Sequence, residues 1–168
     1  DSFSEFCSKN LFQPLSMTST AWFREDLSFA SQESEAIPVQ YKKNNKFQDV
    51  GHYCYIDYAS GQLTTTAKDL AKWSTALLND NGSPELWSKS IGREVVKCQE
   101  QDASGSIVKN CEFGYGWLIL NNSMKKRGST DKWLKEGFSN YDWTDGIWHD
   151  GAEAGAQTNL LILPKAGV

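Results

Sequence analysis

The sequence predicts an α+β fold, in which helices pack on an antiparallel sheet. Apolar residues recur at helical spacing in the first half of the chain, whereas short apolar runs typical of strands dominate its last third. The two patterns do not alternate as they do in parallel α/β proteins. Of the 168 residues, 39% are hydrophobic and 12% are aromatic, so the chain carries enough apolar surface for a packed core.

Three helix starts or stops can be read from local signals. Apolar residues from Phe3 onward fall at helical spacing, and Pro14 ends that helix. Thr66 and Asp69 resemble a capping box, with Asp in place of the usual Glu, and predict the start of a second helix. Pro84 stands at the first position of a third helix. The apolar face of the second helix is formed by Leu70, Trp73, Leu77 and Leu78.

Strand signals begin with a hairpin and then concentrate near the end of the chain. Residues 39–41 and 46–48 flank Asn44 and Asn45, a pair suited to a tight turn. Further strands are predicted at residues 113–120, 146–148 and 157–163. Apart from that hairpin, these strands follow the helices, which favours an antiparallel sheet with helices on it.

Charge and composition exclude several classes of function. The net charge is −4, which argues against a nucleic-acid partner because such proteins carry a basic surplus. The chain has 2 His and no Cys-x-x-Cys pair, so no metal centre is expected, and no motif predicts a cofactor. No apolar run is long enough to span a bilayer.

The 4 cysteines leave two interpretations open. A disulfide between Cys98 and Cys111 would close the polar loop that they flank, or all four thiols are reduced and partly buried. Glycosylation-acceptor triplets begin at Asn81 and Asn121. Together these features lean slightly toward an exported protein.

Four segments, taken in order, resemble the serine β-lactamase and penicillin-binding protein superfamily, and most closely its class C-like branch. Residues 12–20 resemble the family's PLGMxxT segment, and residues 61–73 resemble GGLxSTAxDLAxF. Residues 114–117 resemble the YGxGW strand, and residues 149–155 resemble the HTGxxxG strand. The resemblance implies a β-lactamase/transpeptidase-like sheet flanked by helices.

The resemblance also implies which part of that domain the chain contains. The family's nucleophilic Ser-x-x-Lys and its Tyr-x-Asn precede the PLGM segment, so both are expected before Asp1. The last strand and helix of the fold are expected after Val168. Residues 1–168 are therefore predicted to be one partial domain, incomplete at both ends. Ser-x-x-Lys spellings do begin at Ser106, Ser123 and Ser129, but they lie in polar loop-like stretches and match by chance.

Carried over from the family, the active-site residues of this chain lie within one short segment. His149 takes the Lys/His position, Gly151 leaves room for the substrate, and the N–H of Ala152 is the second oxyanion donor. Asp150 departs from the pattern, since the family has Thr or Ser there. An ionised carboxylate only accepts hydrogen bonds and repels a substrate carboxylate, so Asp150 predicts a neutral or amine-bearing substrate unless it pairs with His149 or turns outward.

An aromatic segment precedes this strand. Tyr141, Trp143 and Trp148 are predicted either to bind substrate as a lid or acyl-group pocket, or to form a small core that anchors a long loop. The expected activity is that of a serine hydrolase acting on a small-molecule or peptide-like ester, amide or lactam through an acyl-enzyme. The alternative is an inactive module of the same fold that binds or scaffolds, which Asp150 raises.

Overall fold

The structure, a computed structural model, describes residues 2–22, 36, 38–42, 46–49, 61, 63–78, 94, 97–99, 101, 103–106, 112–122, 124, 132–153 and 155–167. The chain divides into two compact units. One comprises Asp1–Lys89 with Gly151–Thr158, and the other comprises Ser90–Asp150 with Asn159–Val168. The predicted turn at residues 44–45, the predicted helix start at Pro84, and the side chains of Cys54 and Cys111 lie outside the described residues.

Helix α1 (Phe3–Cys7) confirms the predicted N-terminal helix, and its start is a complete capping box. The Ser2 hydroxyl accepts a hydrogen bond from the Glu5 N–H, and the Glu5 carboxylate accepts one from the Ser2 N–H at 2.7 Å. The chain continues into a π-helical turn, Ser8–Phe12. Buried residues from this region form a small core made of Cys7, Phe12 and Met17, with Leu11, Leu15, Trp22 and Trp73 packed against it.

Helix α2 (Ala67–Leu78) starts where the sequence predicts it. The Thr66 hydroxyl accepts a hydrogen bond from the Asp69 N–H at 3.2 Å, which is the first half of a capping box. The Asp69 carboxylate does not complete the box. It accepts hydrogen bonds from the Ser19 N–H at 2.7 Å and the Thr20 hydroxyl at 2.9 Å instead. The side chain that resembles a local cap therefore joins α2 to the segment that follows the first helix.

Strands β1 (Val39–Lys42) and β2 (Lys46–Asp49) form the predicted antiparallel hairpin. Tyr41 lies opposite Phe47, and their rings are 5.7 Å apart in an edge-to-face arrangement. Both side chains are exposed. The hairpin is also held to Gly155 by a main-chain hydrogen bond of 3.0 Å, in which the Val39 N–H donates to the Gly155 carbonyl.

A second sheet has the order β3–β4–β5, with β3 (Leu118–Ile119), β4 (Ile147–Glu153) and β5 (Ala156–Ile162). The predicted strand at residues 113–120 is wrong in its extent. Its first part turns back on itself, because the Gly114 N–H bonds to the Trp117 carbonyl at 2.8 Å. Gly116 adopts a φ of 73°, a conformation that suits a glycine and cannot continue a strand.

Helix α3 (Lys132–Phe138) is an element that the sequence patterns missed. It packs near the end of the sheet around Trp143, which has 0% of its surface exposed. The Trp143 indole N–H donates to the Phe138 carbonyl at 2.9 Å, so its one polar group is satisfied inside the core. The other buried members of this core are Leu120, Met124, Leu134 and Leu163. This mixture of helices and antiparallel strands confirms the α+β class.

Candidate active-site strand

The residues predicted for the active site follow one another along β4. The strand begins at Ile147, which is buried, and residues 149–152 are exposed. Pairing with β3 covers only its first two residues, through Leu118 opposite Trp148 and Ile119 opposite Ile147. Among the described residues, β3 therefore leaves one edge of β4 unpaired from His149 to its end.

The register with β3 indicates which main-chain groups point to this open edge. The Gly146 carbonyl accepts a hydrogen bond of 2.7 Å from the Leu120 N–H, on the β3 side. In an antiparallel strand the N–H and C=O of a residue point the same way, and alternate residues point to the same edge. The main-chain groups of Trp148, Asp150 and Ala152 accordingly point to the β3 side. The N–H of Ala152 faces the edge beyond the reach of β3.

The His149 side chain is exposed beside the turn that precedes β3. Its ring lies edge-to-face with the Trp117 indole, with ring centroids 6.5 Å apart and an interplanar angle of 86°. This contact limits the orientations of the imidazole without using its nitrogens as hydrogen-bond partners. Among the described residues neither nitrogen has a hydrogen-bond partner, so both are available for proton transfer or for a ligand.

The Asp150 side chain is exposed. Among the residues that the structure describes, it has neither an ion-pair nor a hydrogen-bond partner, so it is not paired with His149. Its carboxylate therefore places a solvated negative charge next to the open edge of β4.

Gly151 is placed against a neighbouring strand as well as against solvent. A Cβ atom at this position would lie 2.8 Å from the Thr158 Oγ1 of β5, closer than real Cβ atoms approach an oxygen. The sequence explained this glycine by room for a substrate. The structure adds a second reason, because a side chain here would collide with Thr158.

The three aromatic residues differ in their surroundings. Trp143 is fully buried with its indole N–H satisfied, so it is a core residue and offers no surface to a ligand. Trp148 is half-buried and lies edge-to-face with Trp133 at 5.9 Å. Tyr141 is exposed, with its ring 5.9 Å from that of Phe138. The substrate-binding prediction therefore does not fit Trp143, and the interpretation as a loop-anchoring core does.

Comparison with known proteins decides the family. The sequence profile described as Beta-lactamase matches residues 1–168, the whole chain. The chain belongs to the beta-lactamase family. A search of curated protein sequences finds no match.

A solved structure supports the same fold for this beta-lactamase-family chain. The octameric penicillin-binding protein homologue from Pyrococcus abyssi superposes with a TM-score of 0.64 at 17% identity. The match covers 98% of this chain and 32% of that protein, so the chain spans about a third of the length of the structure it resembles. Both comparisons confirm the resemblance and the β-lactamase/transpeptidase-like fold that the sequence segments implied.

One feature of this beta-lactamase-family chain escaped the sequence patterns. Thr158 stands between the polar residues Gln157 and Asn159 of a predicted strand, and nothing local indicates that its hydroxyl reaches Gly151.

The cysteines divide into two states. Cys98 is disulfide-bonded, while Cys7 is a free, buried thiol whose pKa is raised by burial. The interpretation in which all four cysteines are reduced is therefore wrong, and the partner of Cys98 lies outside the described residues.

No helix among the described residues has the length and apolar character needed to cross a membrane.

Proposed function

We propose that this chain forms one wall of the active site in a serine hydrolase, which cleaves an ester, amide or lactam through an acyl-enzyme. The observation that carries the proposal is the edge of β4 that the described residues leave unpaired beyond Trp148, and the register directs the Ala152 N–H to this edge. An N–H fixed in a strand needs no reorganisation when negative charge develops on a substrate oxygen. Family membership supplies the reaction class.

Each residue of the strand has a role in this chemistry. A serine hydroxyl attacks the substrate carbonyl, and the Ala152 N–H stabilises the oxyanion that forms. His149 is exposed two residues earlier and either passes a proton or holds a polar group of the substrate. Gly151, which lies between His149 and Ala152 in the strand, has no side chain that would obstruct the substrate. Water then hydrolyses the acyl-enzyme and regenerates the serine.

The exposed carboxylate of Asp150 selects among substrates. Two like charges 4 Å apart in water repel by about 1 kcal/mol, and by more where water is excluded. A substrate with a carboxylate near this edge is therefore disfavoured. A neutral ester or amide, or a substrate that carries an amine, fits better, whether it is a small molecule or peptide-like.

The nucleophile of this mechanism is proposed to lie in a part of the protein outside these 168 residues. This follows from the family's motif order and from the 32% of the solved relative that the chain matches. The three Ser-x-x-Lys spellings inside the chain do not replace it. Ser106, which begins one of them, is exposed and adjoins the bend at Gly105.

The test uses the gene extended in both directions and a fluorophosphonate probe, with the adduct mapped by peptide mass. An adduct on a serine outside residues 1–168 supports the proposal. An adduct on Ser106, Ser123 or Ser129 overturns the assignment of the nucleophile. Denatured protein serves as the control for nonspecific labelling.

An inactive binding or scaffolding module of the same fold is the second candidate. The exposed carboxylate at Asp150 favours it, since this charge replaces a hydroxyl that family enzymes use for substrate contact. A folded, extended protein that gives no adduct would support the module. His149 would then be a structural residue.

The proposed compartment is an oxidising one, outside the cytoplasm. The disulfide at Cys98 supports this, because such bonds persist mainly in exported proteins. Mass measurement of thiol alkylation on protein taken directly from its source tests it. Alkylation of Cys98 without prior reduction would contradict the proposal.

A further inference from the structure

The hydroxyl of Thr158 lies directly over the main chain of β4 at Gly151. The distance from the Thr158 Oγ1 to the position that a Gly151 Cβ would occupy is 2.8 Å. Both residues belong to the same compact unit. Thr158 therefore fills the space that the glycine leaves, and it brings a hydroxyl there from the neighbouring strand.

This hydroxyl lies on the same face of β4 as the side chain of His149. Alternate residues of a strand share a face, so the Cβ direction at Gly151 is that of His149 two residues earlier. Thr158 is exposed, as are Ala156, Gln157 and Asn159 beside it in β5. Among the described residues, the Thr158 hydroxyl has no hydrogen-bond partner. It is thus free to bond to a ligand that lies along this face.

The Thr158 hydroxyl can donate a hydrogen bond that the neighbouring Asp150 carboxylate cannot. Asp150 is ionised at neutral pH and can only accept hydrogen bonds, whereas a threonine hydroxyl donates and accepts. A substrate that approaches the strand with a carbonyl, ether or hydroxyl oxygen needs a donor, which Asp150 cannot supply. Thr158 is an exposed neutral donor held against Gly151.

We propose that Thr158 is a specificity-determining residue of the proposed site, whose hydroxyl donates a hydrogen bond to a neutral acceptor oxygen of the substrate next to Gly151. This inference rests on the proposed function. It assigns the recognition of the neutral substrate oxygen to β5.

The kinetic test uses the extended protein, with p-nitrophenyl acetate and a p-nitrophenyl ester of a hydroxy acid as substrates. Thr158→Val removes the hydroxyl and keeps the shape, and it should raise KM for the hydroxy ester by about 3- to 10-fold, the value of one neutral hydrogen bond. Thr158→Ser should restore it. Thr75→Val removes an exposed hydroxyl that bonds to the Ala71 carbonyl of α2 and serves as the matched control.

The outcomes separate the two proposals. A wild-type protein that neither hydrolyses esters nor reacts with a fluorophosphonate refutes the proposed function, and this inference with it. An active wild type whose KM for the hydroxy ester is the same in Thr158→Val refutes the role of Thr158 alone. An equal KM rise in Thr75→Val refutes it as well.

A thermal-unfolding cycle tests the geometry without any activity. Gly151→Ala should lower Tm by about 3 °C or more, because the new methyl group collides with the Thr158 hydroxyl. The same change made together with Thr158→Ala should cost clearly less, since the colliding oxygen is gone. Equal Tm losses in the two backgrounds would show that the hydroxyl does not lie over Gly151, and would overturn the inference.

Discussion

Replacing Asp69 by asparagine removes the charge of a carboxylate that is 1% exposed while keeping its shape. The carboxylate accepts hydrogen bonds from the Ser19 N–H at 2.7 Å, the Thr20 hydroxyl at 2.9 Å and the Lys72 ammonium at 2.7 Å. Lys72 also donates to the Ser16 carbonyl, so one cation and one anion join α2 to the segment at residues 16–20. The Asp69→Asn variant keeps one acceptor oxygen. Its NH2 group replaces the other oxygen and would face neighbours that are also hydrogen-bond donors.

The size of the effect follows from these contacts. A hydrogen bond to a charged group contributes about 1.5–3 kcal/mol. The Lys72 side chain is 30% exposed, so water screens its part of the interaction, and most of the loss falls on the Ser19 and Thr20 bonds. We expect Asp69→Asn to lower the free energy of unfolding by about 2–4 kcal/mol. With a slope of about 2 kcal/mol per molar urea, the midpoint should fall by about 1–2 M.

The pH dependence gives the same prediction a second readout. Burial alone would raise the pKa of Asp69, but the hydrogen bonds from Lys72, Ser19 and Thr20 outweigh it and leave the pKa lowered. The stabilisation is therefore fully present above the unfolded pKa of about 3.9 and is lost as the pH falls through the lower folded pKa. The difference between wild type and Asp69→Asn should shrink below about pH 4.

Urea titration followed by tryptophan fluorescence measures both quantities. Glu136→Gln is the matched acid-to-amide control, because Glu136 is exposed and lies 3.5 Å from an exposed Lys132. It should change the free energy of unfolding by less than about 0.5 kcal/mol. An Asp69→Asn variant as stable as this control at neutral pH would refute the reasoning. So would a stability difference that stays constant down to pH 3.

Three further substitutions test the core and the strand. Trp143→Ala should lower the free energy of unfolding by about 3–5 kcal/mol in a urea titration, because it empties a fully buried site and strands the Phe138 carbonyl. A loss below about 1 kcal/mol would place Trp143 at the surface. Gly146→Ala should cost about 1–3 kcal/mol in the same titration, since its Cβ would lie 2.8 Å from a Leu163 methyl, and an unchanged midpoint would contradict that packing. Ala152→Pro deletes an N–H on an open edge, where proline is tolerated, and should slow labelling by a fluorophosphonate about 10²- to 10³-fold in the extended protein. Ala152→Gly keeps the N–H and should label normally; similar rates for both variants would remove Ala152 from the oxyanion site.

Sequence patterns predicted the elements whose signals are local. Thr66 specifies the start of α2 through its own hydroxyl, and the hairpin strands are set by alternation around a polar turn. The hydrogen-bond partners of the Asp69 side chain could not be predicted from local signals. Its partners lie about fifty positions earlier in the chain, and only the packed structure brings them to it.

The errors also have identifiable physical causes. The strand at residues 113–120 was predicted too long, because aromatic residues around Gly116 favour strand while its positive φ ends one. Helix α3 was missed because it spans only two turns and contains Gly137, which lowers helix propensity. Within the candidate site, residues 149–152 could be chosen because they lie in one segment that resembles a motif of the family. Thr158 could not, because its contact with Gly151 crosses between strands.

The bond between the Val39 N–H and the Gly155 carbonyl joins two main chains, and neither group belongs to a side chain. Substitutions in the hairpin therefore leave this hydrogen bond in place, unless proline replaces the residue at position 39 and removes the N–H. The side chains of the exposed pair Tyr41 and Phe47 can therefore change while the hairpin stays fixed to the turn that follows β4. Such an arrangement lets evolution vary the surface of the hairpin without disturbing β4.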